Sequence, residues 1–186
     1  MMLVGFDEAG RGPLAGPVSA AAVILPPDFP IEILNDSKKL SEKKRAAAEA
    51  VIKEKALWGI ALVDHKKIDE INILEASMLA MKIAFEELLK KNPELKLSEI
   101  YGITDGTRCP DVPIECRCEP KADGKYPCVM AASILAKTAR DRLMLEMDKK
   151  YPEYGYAKHK GYPTKAHREI CHKLGPSPIQ RLTFSY

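Results

Sequence analysis

Four carboxylates close short apolar runs in this chain, and that placement restricts the folds open to it. Asp7 and Glu8 follow Met2–Phe6, Asp105 follows Ile100–Ile103, and Asp123 comes after Ile114–Cys118. Short apolar runs bounded by turn residues read as strands, so the acids stand at or just past strand ends. Carboxylates there build a core poorly but hold hard divalent cations well, because such cations prefer oxygen ligands. Glycine and basic residues flank them in Asp7-Glu-Ala-Gly-Arg-Gly-Pro13 and Lys121-Ala-Asp-Gly-Lys125. Acids for a cation and bases for phosphate are the parts needed to cut a nucleic acid.

The 186 residues are expected to form a single domain, residues 1–186, large enough to bury a core. No apolar run approaches a membrane span. The first strand begins almost at the N-terminus, which leaves no room for a signal peptide, and five unevenly spaced cysteines suit a reducing compartment. A cytoplasmic protein is expected. The net charge of +3 hides an asymmetry. Residues 1–120 carry 16 basic and 20 acidic residues (net −4), whereas residues 121–186 carry 13 and 6 (net +7). A basic C-terminal third can attract a polyanion, although scattered lysines also form ordinary solvated faces.

Met2–Phe6, Val18–Leu25 and Leu57–Val63 read as strands, with further strands near 99–104 and 113–118. Ser41 is a candidate N-cap for a helix reaching Lys55. Ile71, Leu74, Met78, Met81, Phe85 and Leu88 recur at steps of three and four and predict one helix from about Asp69 to Lys91, stopped by Asn92-Pro93. Helices are predicted over Pro127–Lys150 and Thr164–Leu174, making residues from about 151 onward a helical C-terminal segment. This order predicts an α/β chain, a mixed sheet with helices on both faces, and sites at strand ends.

Two cations about 3.5–4 Å apart can activate a water and steady the leaving oxygen in phosphoryl transfer. Asp7 and Glu8 are neighbours, and neighbours on a strand face opposite ways. Both serve one site only if the chain bends, which Gly10 permits. Each Asp-Gly step taken alone reads as a turn; the four acids and their flanking bases together read as a site. The cysteines lack paired C-x₂-C knuckles, and Cys116 and Cys118 read as small apolar groups on one strand face. No nucleophile–base pair supports cysteine chemistry.

The stretch Gly5-Phe-Asp-Glu-Ala-Gly-Arg-Gly-Pro-Leu-Ala-Gly-Pro17 resembles the opening motif of type 2 ribonuclease H, the ribonuclease HII family. The resemblance continues through Asn35-Asp-Ser-Lys-Lys-Leu40, Thr104-Asp-Gly106, Lys121-Ala-Asp123, Ala131-Ala-Ser-Ile-Leu-Ala-Lys137, Tyr154-Gly-Tyr156, His159-Lys-Gly-Tyr162 and Arg181-Leu-Thr-Phe184. It implies a ribonuclease H-like fold, a five-stranded mixed sheet flanked by helices. It implies cleavage of RNA in RNA–DNA hybrids and incision at single ribonucleotides in duplex DNA, with 5′-phosphate and 3′-hydroxyl products. That activity suits ribonucleotide removal and primer degradation. Mg²⁺ or Mn²⁺ is the implied cofactor and a monomer the implied state. By motif position Asp7, Glu8, Asp105 and Asp123 are the metal-binding, catalytic acids. Gly10, Arg11 and Gly12 form the loop that reads the ribose, and Tyr162 recognises the junction.

Ser133, Lys137 and Arg140 fall at i, i+4 and i+7 of the Pro127–Lys150 helix, placing a hydroxyl and two cations on one face. They read as phosphate contacts, or as a solvated stripe with Lys137 or Arg140 paired to an acid such as Asp141. Ser37, Lys38 and Lys39 read as backbone contacts or helix-entry charges, and His159 as a surface group or a neighbour of the site. Two rivals stand beside this reading. A type 3 ribonuclease H normally carries an extra N-terminal domain, and a non-catalytic binding module would need no such set of acids.

Overall fold

The computed structural model describes residues 1–186. Five strands form one sheet: β1 (Met2–Ala9), β2 (Val18–Ile24), β3 (Leu57–Val63), β4 (Ile100–Asp105) and β5 (Cys116–Glu119). Their spatial order is β3-β2-β1-β4-β5. β1 pairs antiparallel with β2 and parallel with β4; β2 pairs antiparallel with β3, and β4 parallel with β5. The expected mixed sheet is therefore present, with helices on both faces.

Strand alternation sorts the helices. Val4 and Phe6 point to one face, where the Phe6 ring meets Phe85 edge-on at 5.7 Å. Phe85 belongs to α3 (Ile73–Lys91), which covers β1, β2 and β3. Gly5 points to the other face, against the backbone of Cys128 and Val129 in α4 (Pro127–Lys150). A side chain at Gly5 would come within 2.4–2.6 Å of that backbone, so the missing Cβ lets α4 lie on the sheet. Ala131, Ala132 and Ala136 of α4 share a buried cluster with Ala21 and Val23 of β2 and with Ile52 of α1 (Glu42–Lys55). Small residues on both sides permit this close approach.

Leu57–Val63 and Pro127–Lys150 form as predicted, and Ser41 accepts the Lys44 N–H as the expected cap at 3.3 Å. Elsewhere the structure differs. The single helix predicted over 69–91 is two: α2 (His65–Ile71) and α3, broken at Asn72. Asn72 takes a left-handed φ of 71° and accepts the Glu75 N–H, capping α3, a role its short polar side chain suits. β5 begins at Cys116 rather than near 113 because Pro113 has no N–H to give a sheet ladder. α5 (Tyr156–His159), a single turn that no periodic pattern marks individually, lies inside the helical segment expected from about 151, between Pro152 and Pro163 and ahead of α6 (Lys165–Leu174). No helix is long and apolar enough to cross a membrane.

Candidate active site

Parallel pairing of β1 with β4 aligns Phe6 with Thr104, so Asp7 and Asp105 emerge side by side where the paired ladder stops. Asp123 arrives from a 3₁₀ turn, Ala122–Gly124, just ahead of α4. Lys121 before it adopts φ 64°, which turns the chain back toward the sheet. The Asp123 N–H lies 3.5 Å from Asp105 Oδ1. Carboxylate oxygens of Asp7, Asp105 and Asp123 all fall within 4.8 Å of one another.

Glu8 stands outside this triangle. Its carboxylate pairs with the Arg11 guanidinium at 3.5 Å, and its N–H donates to Asp7 Oδ1 at 2.7 Å. Both acids line one groove of about 480 Å³, together with Ala9, Gly10, Arg11, Gly12, Ser37, Lys38, Asp105, Asp123, Ser133, Lys137 and Tyr162. The groove thus gathers four acids, the glycine loop, two lysines, two hydroxyls and a tyrosine from segments far apart in sequence.

Burial pushes the Asp7 carboxyl well above the usual carboxylate range, and the charges of Glu8, Asp105 and Asp123 push it further. Glu8 is raised by burial against the pull of Arg11, and Asp123 by burial and then by Asp105. Three hard oxygen donors in mutual repulsion fit a divalent cation by number and chemistry. Binding the ion requires these groups to be deprotonated, so protons compete with it. Raised carboxyl values mean the folded chain holds protons more readily than the unfolded one. The resulting penalty is absent below the ordinary carboxylate range and fully present above the raised values. Burial lowers His159 and His167, whose contribution runs the opposite way near neutrality. The clean readout is therefore the shift caused by the ion. Millimolar Mg²⁺ or Mn²⁺ should raise Tm by several degrees at pH 7.5 and by clearly less at pH 5, measured by calorimetry.

The remaining predicted residues separate into two groups. Ser37 and Ser133 join α4 to the loop before α1 through hydroxyls 2.7 Å apart. Lys38 reaches the groove. Lys137 reaches it too, while pairing with Asp141 at 2.9 Å. Tyr162 is 36% exposed, and its Cε1 would lie 3.9 Å from a Cβ added at Gly12. Arg140 does not belong with these contacts, and the expectation that it meets phosphate is corrected. It is only 1% exposed. Its guanidinium donates to the carbonyls of Pro17 (2.8 Å), Lys160 (2.8 Å) and Ala15 (2.9 Å). Helical spacing placed it on the right face, but α4 is overlaid there by residues 15–17 and 160.

His159 is half-buried rather than superficial. It stacks on His167 at 4.2 Å, accepts the Gly161 N–H at Nδ1 (3.1 Å), and its Nε2 lies 2.8 Å from the Tyr154 carbonyl. It shapes the turn carrying Tyr162. Sequence reasoning assigned no role to Arg181, which is fully buried and donates to five carbonyls of residues 10–17. Its only signal was a cation inside an otherwise apolar and polar-neutral C-terminal motif.

The sequence profile of the ribonuclease HII family matches residues 4–186. The ribonuclease HII of Idiomarina loihiensis is 52% identical over 185 residues, covering 99% of this chain and 95% of the relative. The ribonuclease H2 of Pyrococcus horikoshii superposes with a TM-score of 0.71 at 29% identity, covering 100% of this chain and 94% of that one. Bst-RNase HIII in complex with Mn²⁺ gives a TM-score of 0.76 at 19% identity, covering 100% and 67%, a likeness of fold. With half its residues shared with curated relatives along nearly its whole length, the chain belongs to the ribonuclease HII family of metal-dependent endoribonucleases.

Proposed function

We propose that the chain hydrolyses the RNA strand of RNA–DNA hybrids and incises duplex DNA at single embedded ribonucleotides, leaving 5′-phosphate and 3′-hydroxyl ends by a two-metal reaction. The observation that carries this is the meeting, in one groove, of the Asp7–Asp105–Asp123 triangle with the Gly10–Gly12 loop and Tyr162. One end offers cation ligands; the other offers backbone and an aromatic ring at nucleotide scale.

In this reading Asp7, Asp105 and Asp123 supply carboxylate oxygens, and Glu8 joins them by leaving Arg11. Bound Mg²⁺ or Mn²⁺ supplies the charge that activates water and steadies the leaving oxygen. Lys38, Lys137, Ser37 and Ser133 hold phosphates and set register without reading bases. A protein distinguishes RNA from DNA through the 2′-hydroxyl, which both donates and accepts hydrogen bonds. The Gly10–Arg11–Gly12 backbone can approach that hydroxyl because no side chain at Gly12 intervenes. The Tyr162 ring packs on the sugar or base beside it. The enzyme acts as a cytoplasmic monomer, in ribonucleotide removal and primer degradation.

The test is a panel of three duplexes of one sequence: a full hybrid, a DNA duplex with one ribonucleotide, and all-DNA. Cleavage of the first two, dependent on divalent ion, supports the proposal. Cleavage of all-DNA, or of the single-ribonucleotide duplex in EDTA, contradicts it. Tyr162→Ala should slow incision at the lone ribonucleotide about tenfold more than cleavage of the hybrid, a loss matching one stacking contact. Equal losses on both substrates would remove the junction role from Tyr162.

A further inference from the structure

Residues 10–17 carry no regular structure beyond a single bridge, Ala15 with Gln180, yet the segment is almost fully specified. Leu14 N–H donates to the Gly161 carbonyl (2.8 Å), and Gly16 N–H to Ile179 (2.9 Å). The carbonyls of this loop mostly turn inward onto two buried guanidinium groups. Arg181 Nη2 donates to Gly10 (2.6 Å) and Pro17 (3.0 Å), Nη1 to Arg11 (2.9 Å) and Pro13 (2.9 Å), and Nε to Gly16 (2.9 Å). These five bonds use every N–H donor that a guanidinium owns. Arg140 adds Ala15 and shares Pro17 from the other side. Burying a cation without a carboxylate is costly unless its donors are all met, and here backbone oxygens meet those of Arg181 completely.

The consequence lies on the opposite face of each peptide. The chain has no cis peptide bond, so each N–H points away from the carbonyl of the residue before it. With the Gly10 and Arg11 carbonyls held by Arg181, the N–H groups of Arg11 and Gly12 face the other way, away from Arg181. Neither N–H donates to any other atom of the chain. Two adjacent amides left without partners, at a groove wall formed by Gly10, Arg11 and Gly12, form a donor pair awaiting an oxygen.

We propose that Arg181 is a positioning residue for ribose recognition, fixing the Arg11 and Gly12 N–H groups as preset donors to the sugar oxygens of the substrate ribonucleotide. This rests on the reading of the groove as a ribonucleotide site. Arg181 touches no substrate; it acts through the peptide planes it holds. Lysine cannot replace it, because three donors on a point charge cannot span five carbonyls arranged around a planar fork.

The experiment measures Kd by fluorescence anisotropy, in EDTA, for a DNA duplex with one ribonucleotide and for its all-DNA counterpart. Wild type, Arg181→Met and Arg181→Lys are compared below the Tm of each. Wild type should favour the ribonucleotide duplex. Arg181→Met should narrow that preference at least about fivefold while the all-DNA Kd changes less than about twofold, with Arg181→Lys between. A merely structural role would weaken both duplexes in parallel and keep their ratio, and that result overturns the proposal. A second measurement needs no variant. In wild type, the Arg11 and Gly12 amide NMR resonances should move on adding the ribonucleotide duplex and stay in place with all-DNA. Equal movement with both, or none with either, also overturns it. If wild type itself shows neither preference nor incision, the ribonucleotide reading of the groove falls, and this inference with it.

Discussion

Replacing Asp7 or Asp105 with Asn should lower cleavage at least about a thousandfold and, in the same protein, raise the Tm measured without divalent ion. The two effects share one cause. Asp7 is buried beside Glu8, Asp105 and Asp123, and burial and their charges hold its carboxyl far above the usual range. The folded chain therefore keeps three acids within 4.8 Å at a cost in stability, which a bound cation would offset. Asparagine has nearly the same shape and one fewer charge, so it relaxes the repulsion and loses an anionic ligand. The expected gain is about 1–2 kcal/mol, or roughly 2–8 °C in a chain of this size. Cleavage rates and calorimetry on one preparation check both parts. An inactive variant with a lowered Tm would mean the acids support the fold instead of opposing it.

Gly12→Ala should fold normally and incise at a single ribonucleotide at least about a hundredfold more slowly, as expected when a reacting group is displaced by an ångström or so. A Cβ built at Gly12 meets nothing nearer than Tyr162 Cε1 at 3.9 Å, so the protein has room for it. That room is the gap between the loop and Tyr162 where the nucleotide would sit. Gly10 differs in kind. It holds φ 93°, and a Cβ there would lie 2.2 Å from Arg140 Nε, so Gly10→Ala should lower Tm as well as activity. Two glycines two positions apart thus report on different things, one on substrate and one on fold. A loss of stability in Gly12→Ala equal to that in Gly10→Ala would erase the distinction.

What the sequence disclosed followed from local signals. The apolar run Leu57–Val63 and the proline at the first turn of α4 mark their elements directly. The acids were legible because carboxylates at strand ends contradict the packing expected there. Asn72 was not, because its neighbours carry an uninterrupted helical pattern and the break depends on one side chain capping α3. Arg140 was misplaced because periodicity assigns a helix face without saying what covers it. Arg181 was missed for a related reason. Its partners, residues 10–17, lie more than 160 positions away, and no local pattern marks a cation that pairs with carbonyls. The motif resemblance named it without explaining it.

The measurement closest to the centre of this account is a Mn²⁺ titration of the wild type, Asp7→Asn and Asp105→Asn, following free ion by electron paramagnetic resonance. The wild type should remove free Mn²⁺ saturably, and each variant should bind it at least about tenfold more weakly. Undiminished binding in both variants would mean the three carboxylates do not hold the ion, and the chemistry assigned to them would have no basis.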